Sequence, residues 1–270
     1  MIGGVGGSGT RLIAQCLKQA GLHIGTDLNE AHDNLWFTLL FKRPEILTCS
    51  EEEFDGLLQL FIDRMTGTNV LTRKQEEIID RLPTEDREQH AASWLKQRSQ
   101  TLRSDTLSHT NGNGWGWKEP NSHIVLDRLM ARLDDMKYIH VMRNGLDMAH
   151  STNQNQLRLW GPHFIDGAFD INPRSSLKYW CIVHQRVLEF KPIMGDRLLL
   201  LNYDAFCTDP ERGLEELFDF SSMHLGALKP HLQELVKPPS SIGRFKCHGT
   251  DMFVKEDVEF VRSLGFDVSS

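Results

Sequence analysis

Five of the first nine residues are glycine: Gly3, Gly4, Gly6, Gly7 and Gly9. They follow a very short apolar lead-in and precede a stretch in which Leu12, Ile13, Cys16, Leu17 and Ala20 recur at helical spacing until Gly21. Such a sequence predicts a strand, a tight loop and an amphipathic helix. Glycines let the backbone turn its N–H groups toward one point, and the helix N-terminus adds the positive end of its dipole. The product is an anion site suited to phosphate.

The loop alone admits more than one ligand. Gly4-x-Gly6-x-x-Gly9 matches a dinucleotide fingerprint, with Asp27 and Glu30 near the place of a ribose-binding acid. Gly4 and Gly9 also have the spacing of an ATPase phosphate loop, but Thr10 stands where that loop requires lysine, so this reading is rejected. A tight turn without a ligand is the remaining alternative.

Further along, strand and helix patterns alternate. Residues 28–110 are polar, charged and helical in pattern, with one stripe at Leu57, Leu58, Leu60, Phe61 and Met65 and another at Ile78, Ile79 and Leu82. A turn is expected at 111–114 (NGNG), a short strand at 115–118 and a helix at 123–133. Strands are expected at 137–142 and 197–203, the second nearly all apolar as buried parallel strands are. Helices are expected from Asn144, over 177–190 and over 210–220. The alternation predicts an α/β fold with a parallel sheet flanked by helices. The helical stretch of about 35–110 then reads as an insertion in a single domain of 270 residues.

A second group of residues narrows the chemistry. The run 137–142 ends just before Arg143, which therefore projects from the C-terminal edge of a strand, where open α/β sheets bind ligands. Asn144 is expected to cap the next helix with Asp147 three residues on, in a variant of the capping box. Ser151 lies two helical turns along. An arginine fork and a hydroxyl suit a terminal phosphate monoester.

Ser8-Gly9-Thr10 and Arg143-Asn144-x-x-Asp147-x-x-x-Ser151 together resemble the motifs of sulfotransferases that use 3′-phosphoadenosine 5′-phosphosulfate (PAPS). In that family a (Lys/Arg)-Ser-Gly-Thr loop cradles the 5′-phosphosulfate, and an arginine followed eight residues later by serine grips the 3′-phosphate. The segment 200–204 with Asp209-Pro210-Glu211, and the late segment 240–245, are also similar. The resemblance covers nearly the whole chain apart from about 35–110. It implies a P-loop-NTPase-like sulfotransferase fold and a nucleotide site at Gly6, Gly7, Ser8, Gly9, Thr10, Arg11, Arg143, Ser151, Tyr203, Ser241, Gly243 and Arg244. Gly7 departs from the pattern, since many members carry Lys or Arg there; Arg11 is the nearest cation able to replace that charge.

Sulfuryl transfer needs in-line placement and positive charge on the leaving and equatorial oxygens. By resemblance, Lys118 in Trp117-Lys118-Glu119-Pro120 stabilises the leaving phosphate, and the helical insertion shapes the acceptor site. Glu30 is the candidate base, with Glu119 and His32 as further candidates. Trp115, Trp117 and Trp180 are assigned to the core.

The net charge of −7 argues against a nucleic-acid binder, so positive charge for an anionic ligand must be focused locally. No apolar run is long enough for a membrane span. The five scattered cysteines, the opening without a signal-peptide pattern and the lack of an Asn-x-Ser/Thr site predict a cytoplasmic protein. The twelve histidines lack metal-ligand spacing, so no metal is expected. The expected function is transfer of the sulfuryl group of PAPS to a small-molecule, carbohydrate or peptide acceptor, releasing 3′-phosphoadenosine 5′-phosphate (PAP). A non-enzymatic PAP- or PAPS-binding protein and a nicotinamide oxidoreductase are the alternatives.

Overall fold

The structure, a computed structural model, describes residues 1–67, 70–104 and 114–269. It divides into two compact units: Met1–Ile13 with Pro120–Ser270, and Ala14–Glu119. The expected turn at 111–114 lies outside the described residues except for Gly114.

Strand β1 (Ile2–Gly4) leads through the glycine loop into α1 (Thr10–Gln19), which buries Ile13, Cys16 and Leu17 of the expected stripe and leaves Leu12 and Ala20 half-buried. Four helices follow: α2 (Leu35–Phe41), α3 (Glu51–Met65), α4 (Arg73–Arg81) and α5 (Ala92–Ser104). Their starts are written locally. Asn34 and Ser50 accept the N–H groups of Phe37 and Glu53, and Thr72 and Gln75 form a reciprocal capping box. The stripe from Leu57 to Met65 is buried, and Phe37, Phe61 and Trp117 pack ring on ring at 5.2–5.5 Å. Trp117 and Trp180 are core residues, whereas Trp115 is only half-buried.

The other unit resumes with a 3-10 turn over Pro120–Val125 and α6 (Leu126–Met130), then β2 (Tyr138–Met142) and α7 (Gly145–Ala149). Helices α8 (Asn155–Phe164), α9 (Pro173–Glu189) and α10 (Lys191–Met194) precede β3 (Leu198–Asn202). After it come α11 (Tyr203–Thr208), α12 (Pro210–Ser221), α13 (Lys229–Leu235) and α14 (Lys255–Ser263). Two expectations are corrected. Residues 115–118 form isolated bridges, Trp115 with His23, rather than a strand. The helix expected at 123–133 begins as the 3-10 turn, and its α-helical part is the single turn Leu126–Met130.

The three strands are parallel in the order β1-β2-β3. Gly4 pairs with Val141 and Met142 with Asn202, so the strands end nearly level. The glycine loop, Arg143 and Tyr203 therefore leave the same C-terminal edge of the sheet. Register, more than any local motif, gathers the site.

Beneath that edge lies a buried polar cluster. His140, in mid-β2, shares a hydrogen bond with the Tyr138 hydroxyl (2.7 Å), and its ring lies 5.0 Å from that of His184 and 6.2 Å from that of His123. Gln156 accepts from Tyr179, hydrogen-bonds His123 and donates to the Gly4 carbonyl (3.1 Å), tying the cluster to the root of the loop. Burial drives all three histidines toward the neutral form: His123 falls to about 3, His184 to about 4, and His140 well below the ordinary value.

Candidate functional site

The loop turns on two hydrogen bonds, Ser8 N–H to Val5 O and Leu12 N–H to Gly9 O, each 3.0 Å. The N–H groups of Gly6, Gly7, Gly9, Thr10 and Arg11 have no acceptor among the described residues. Ser8 is 1% exposed, yet its hydroxyl also lacks a partner. A row of free donors around a helix start is a geometry suited to holding an anion. Two glycines are needed for its shape. Gly7 has φ +94°, and Gly9 has φ +100° with the Tyr203 ring so near that a Cβ would stand 2.2 Å from it. Arg11 is exposed and forms no hydrogen bond or ion pair among the described residues.

Arg143 spans this loop and a late segment. Its Nη1 donates to the Gly7 carbonyl (3.5 Å), its Nη2 donates to Ser241 Oγ, and its Nε lies 3.9 Å from Asp204 Oδ1. Neither Nε nor that carboxylate oxygen has a hydrogen-bond partner. The other oxygen of Asp204 accepts the N–H of Asn144 (3.0 Å), which fixes the entrance to α7. Burial raises the Asp204 pKa against the opposing pull of the Asn144 N–H and Arg143. Burial likewise raises that of the Tyr203 phenol.

The expected capping box is not formed. Asn144 Oδ1 accepts from Leu146 N–H (2.9 Å), so the cap is satisfied one residue earlier. Asp147 instead accepts the N–H groups of Gly243 (2.8 Å) and Phe245 (3.0 Å). Arg244 Nη1 donates to the His150 carbonyl (3.2 Å). Helix α7 stops at Ala149, so Ser151 lies beyond its end rather than two turns along it. The Ser151 hydroxyl accepts the Asn153 N–H (3.2 Å) and forms no hydrogen bond with Arg143.

In the other unit, Lys118 is 2% exposed and its ammonium pairs with Asp33 and donates to the Ala31 carbonyl (3.1 Å). The loop carrying Asp33 is knitted around Asn29, whose Oδ1 accepts the N–H groups of Ala31 and Asp33 (both 2.9 Å) and whose Nδ2 donates to Asp33. Glu30 sits on this loop exposed, without a hydrogen bond or ion pair among the described residues. Asp27, a possible ribose acid by spacing, is bonded to Arg98 and Thr101. Among the described residues no three metal-ligating side chains gather in one place.

The sequence model described as the Sulfotransferase family matches residues 1–225. The chain belongs to the sulfotransferase family. The match contains the glycine loop, Lys118, Arg143 and Tyr203, and stops short of the late segment. Among curated proteins none matches the sequence. Of solved structures, the sulfotransferase STF9 from Mycobacterium avium is similar, with 13% identity and a TM-score of 0.45 over 99% of this chain and 76% of that one.

In this sulfotransferase-family chain the contacts unite the loop with Arg143 and Ser241 through hydrogen bonds, and with Tyr203 through packing. Local spacing does not single out three carboxylates that hold candidate residues: Asp33, which pairs with Lys118, and Asp147 and Asp204, which brace the Arg143 segment. Asp147 and Asp204 are each linked to residues more than fifty positions away, which local spacing does not register. Asp33 follows His32 directly, and its only sequence signal is its nearness to Glu30.

Proposed function

We propose that this sulfotransferase moves the sulfuryl group of PAPS to a hydroxyl or amine of a small-molecule, carbohydrate or peptide acceptor and releases PAP. The tie between Arg143 and Gly7 carries the reading, because it puts a guanidinium fork beside a loop of free N–H donors. Two separate anion-binding elements within one unit suit a nucleotide with phosphate groups at both its 5′ and 3′ ends. The loop takes the 5′-phosphosulfate, and Arg143 with Ser241, Arg244 and Ser151 takes the 3′-phosphate.

In the reaction an acceptor lone pair forms a bond to sulfur, the bond from sulfur to the bridging phosphate oxygen breaks, and its electron pair stays on PAP. Lys118 neutralises charge on that leaving phosphate, Glu30 takes the acceptor proton, and Arg11 supplies the cation that Gly7 lacks. The left-handed backbone at Gly7 explains why a lysine is unwelcome there. The helices of about 35–110 shape the acceptor pocket. Five unpaired cysteines suit a cytoplasmic enzyme.

One observation favours a PAP-binding protein without turnover: Lys118 is already paired with Asp33. Titration with PAP, NAD and ATP, followed by a screen of acceptors with sulfur-labelled PAPS, tests both readings. Tight PAP binding with label transfer supports the enzyme. Binding without transfer to any acceptor supports the binder, and preference for NAD or ATP removes both.

A further inference from the structure

Asp147 is a carboxylate within a segment assigned to anion binding, which is electrostatically unfavourable unless its charge is consumed. It is 1% exposed, and both of its oxygens are engaged, Oδ2 by Gly243 N–H at 2.8 Å and Oδ1 by Phe245 N–H at 3.0 Å. Two charge-assisted bonds to backbone hold a strap of chain in one register. That strap carries Ser241, whose hydroxyl accepts from Arg143 Nη2, and Arg244, which donates to the His150 carbonyl. Asp147 follows Arg143 by one helical turn, so the strap is clamped at the end of α7 from which the fork extends.

On the reading that Arg143 meets the 3′-phosphate, we infer that Asp147 is the positioning residue that sets selectivity for nucleotides bearing that phosphate. It acts through the strap and touches no ligand itself. With the strap clamped, the Ser241 hydroxyl is fixed beside the guanidinium, and its own hydrogen remains available to a phosphate oxygen. Without the clamp, the fork must be ordered by the ligand, and that ordering weakens binding. A nucleotide lacking the 3′-phosphate makes no use of the fork and gains nothing from the clamp.

The test uses Asp147→Asn, nearly isosteric, and Asp147→Glu, with calorimetric titration of PAP and of adenosine 5′-phosphate. The wild type prefers PAP. Asp147→Asn weakens PAP by about tenfold or more while adenosine 5′-phosphate changes by less than about twofold. Ser241→Ala shows the same selective loss, and adding it to Asp147→Asn costs little more, since both act through one contact. Equal weakening of both nucleotides, an unchanged ratio or additive losses would overturn the inference. Where Asp147→Asn fails to fold, Ser241→Ala decides: an unchanged PAP preference means that the strap does not read the 3′-phosphate. A wild type without PAP preference overturns the nucleotide reading itself, which is a different result from variants that keep that preference.

Discussion

The Tyr203 ring lies over Gly9, where a Cβ would stand 2.2 Å from its Cδ2 and Cε2. A residue at the start of α11 thereby dictates the side chain allowed in the loop after β1, and the two meet because their strands end level in one sheet. Gly9→Ala adds this clash to a backbone at φ +100°, so it is expected to lower the melting temperature by several degrees and PAP affinity at least tenfold. Gly9→Ala with Tyr203→Ala removes the clash but leaves the backbone strain. Calorimetry on the pair is expected to show partial recovery of stability; no recovery would mean that the ring contact is not what the loop requires.

Arg143 has three nitrogens facing Gly7, Ser241 and Asp204, in a side chain 12% exposed. Loss of a charge-assisted fork from such a place costs about 2–3 kcal/mol of binding. Arg143→Ala should therefore weaken PAP by on the order of a hundredfold and adenosine 5′-phosphosulfate only slightly. Arg143→Lys should recover little, because an ammonium cannot span the same acceptors. Titration of both nucleotides checks this, and equal losses would separate Arg143 from the 3′-phosphate.

Lys118 is buried and pairs with the part-buried Asp33, so removing the aspartate leaves a buried charge uncompensated and removing the lysine leaves a partly buried one. Lys118→Ala should cost about 3 kcal/mol of stability and lower turnover by orders of magnitude. Lys118→Met with Asp33→Asn removes both charges and should restore most of the stability but none of the turnover. Denaturant unfolding and PAP release from PAPS read the two effects separately. Recovery of turnover in the double variant would assign Lys118 a purely structural role.

The buried histidines give the fold an acid limit. Their folded pKa values lie below the ordinary value near 6.5, with His184 at about 4 and His123 at about 3. Between those values and 6.5 the unfolded chain binds more protons, so stability rises with pH and is lost as pH falls through this window. His123 and His184 each contribute roughly 3 kcal/mol to that loss by about pH 4, and His140 adds to it in the same direction. Asp204, raised by burial, works in the opposite sense as it takes up its proton. Melting temperature is expected to fall steeply below pH 6. His184→Asn should reduce the slope by about one proton, and an unchanged slope would place the acid sensitivity elsewhere.

Much of this architecture is legible before any coordinates. The 3.6-residue recurrence of Leu12, Ile13, Cys16 and Leu17 and the apolar run at 198–201 report burial directly, and both elements form within two residues of their expected bounds. Helices α3 and α12 begin where Ser50 and Asp209 provide caps. What escapes local reading is long-range competition for polar groups. Asn144 and Asp147 have the spacing of a capping box, but two distant N–H groups claim the aspartate. Lys118 reads as a strand end because its neighbours are β-formers, yet it lies in bridges too short for a strand. Arg143 and Ser151 fit one helix by count, but α7 ends after five residues.

The central pairing of the sheet also governs how the chain is made. β1, with the glycine loop, leaves the ribosome well before its strand partner among the described residues, β2, which lies more than a hundred residues later. At roughly 5–20 residues per second, β1 must remain unpaired for on the order of ten seconds. During that interval the whole of Ala14–Glu119 has emerged with a core of its own. Nascent chains stalled before Tyr138 carry the loop without the ladder that shapes it, so the loop takes its final form only once β2 has emerged.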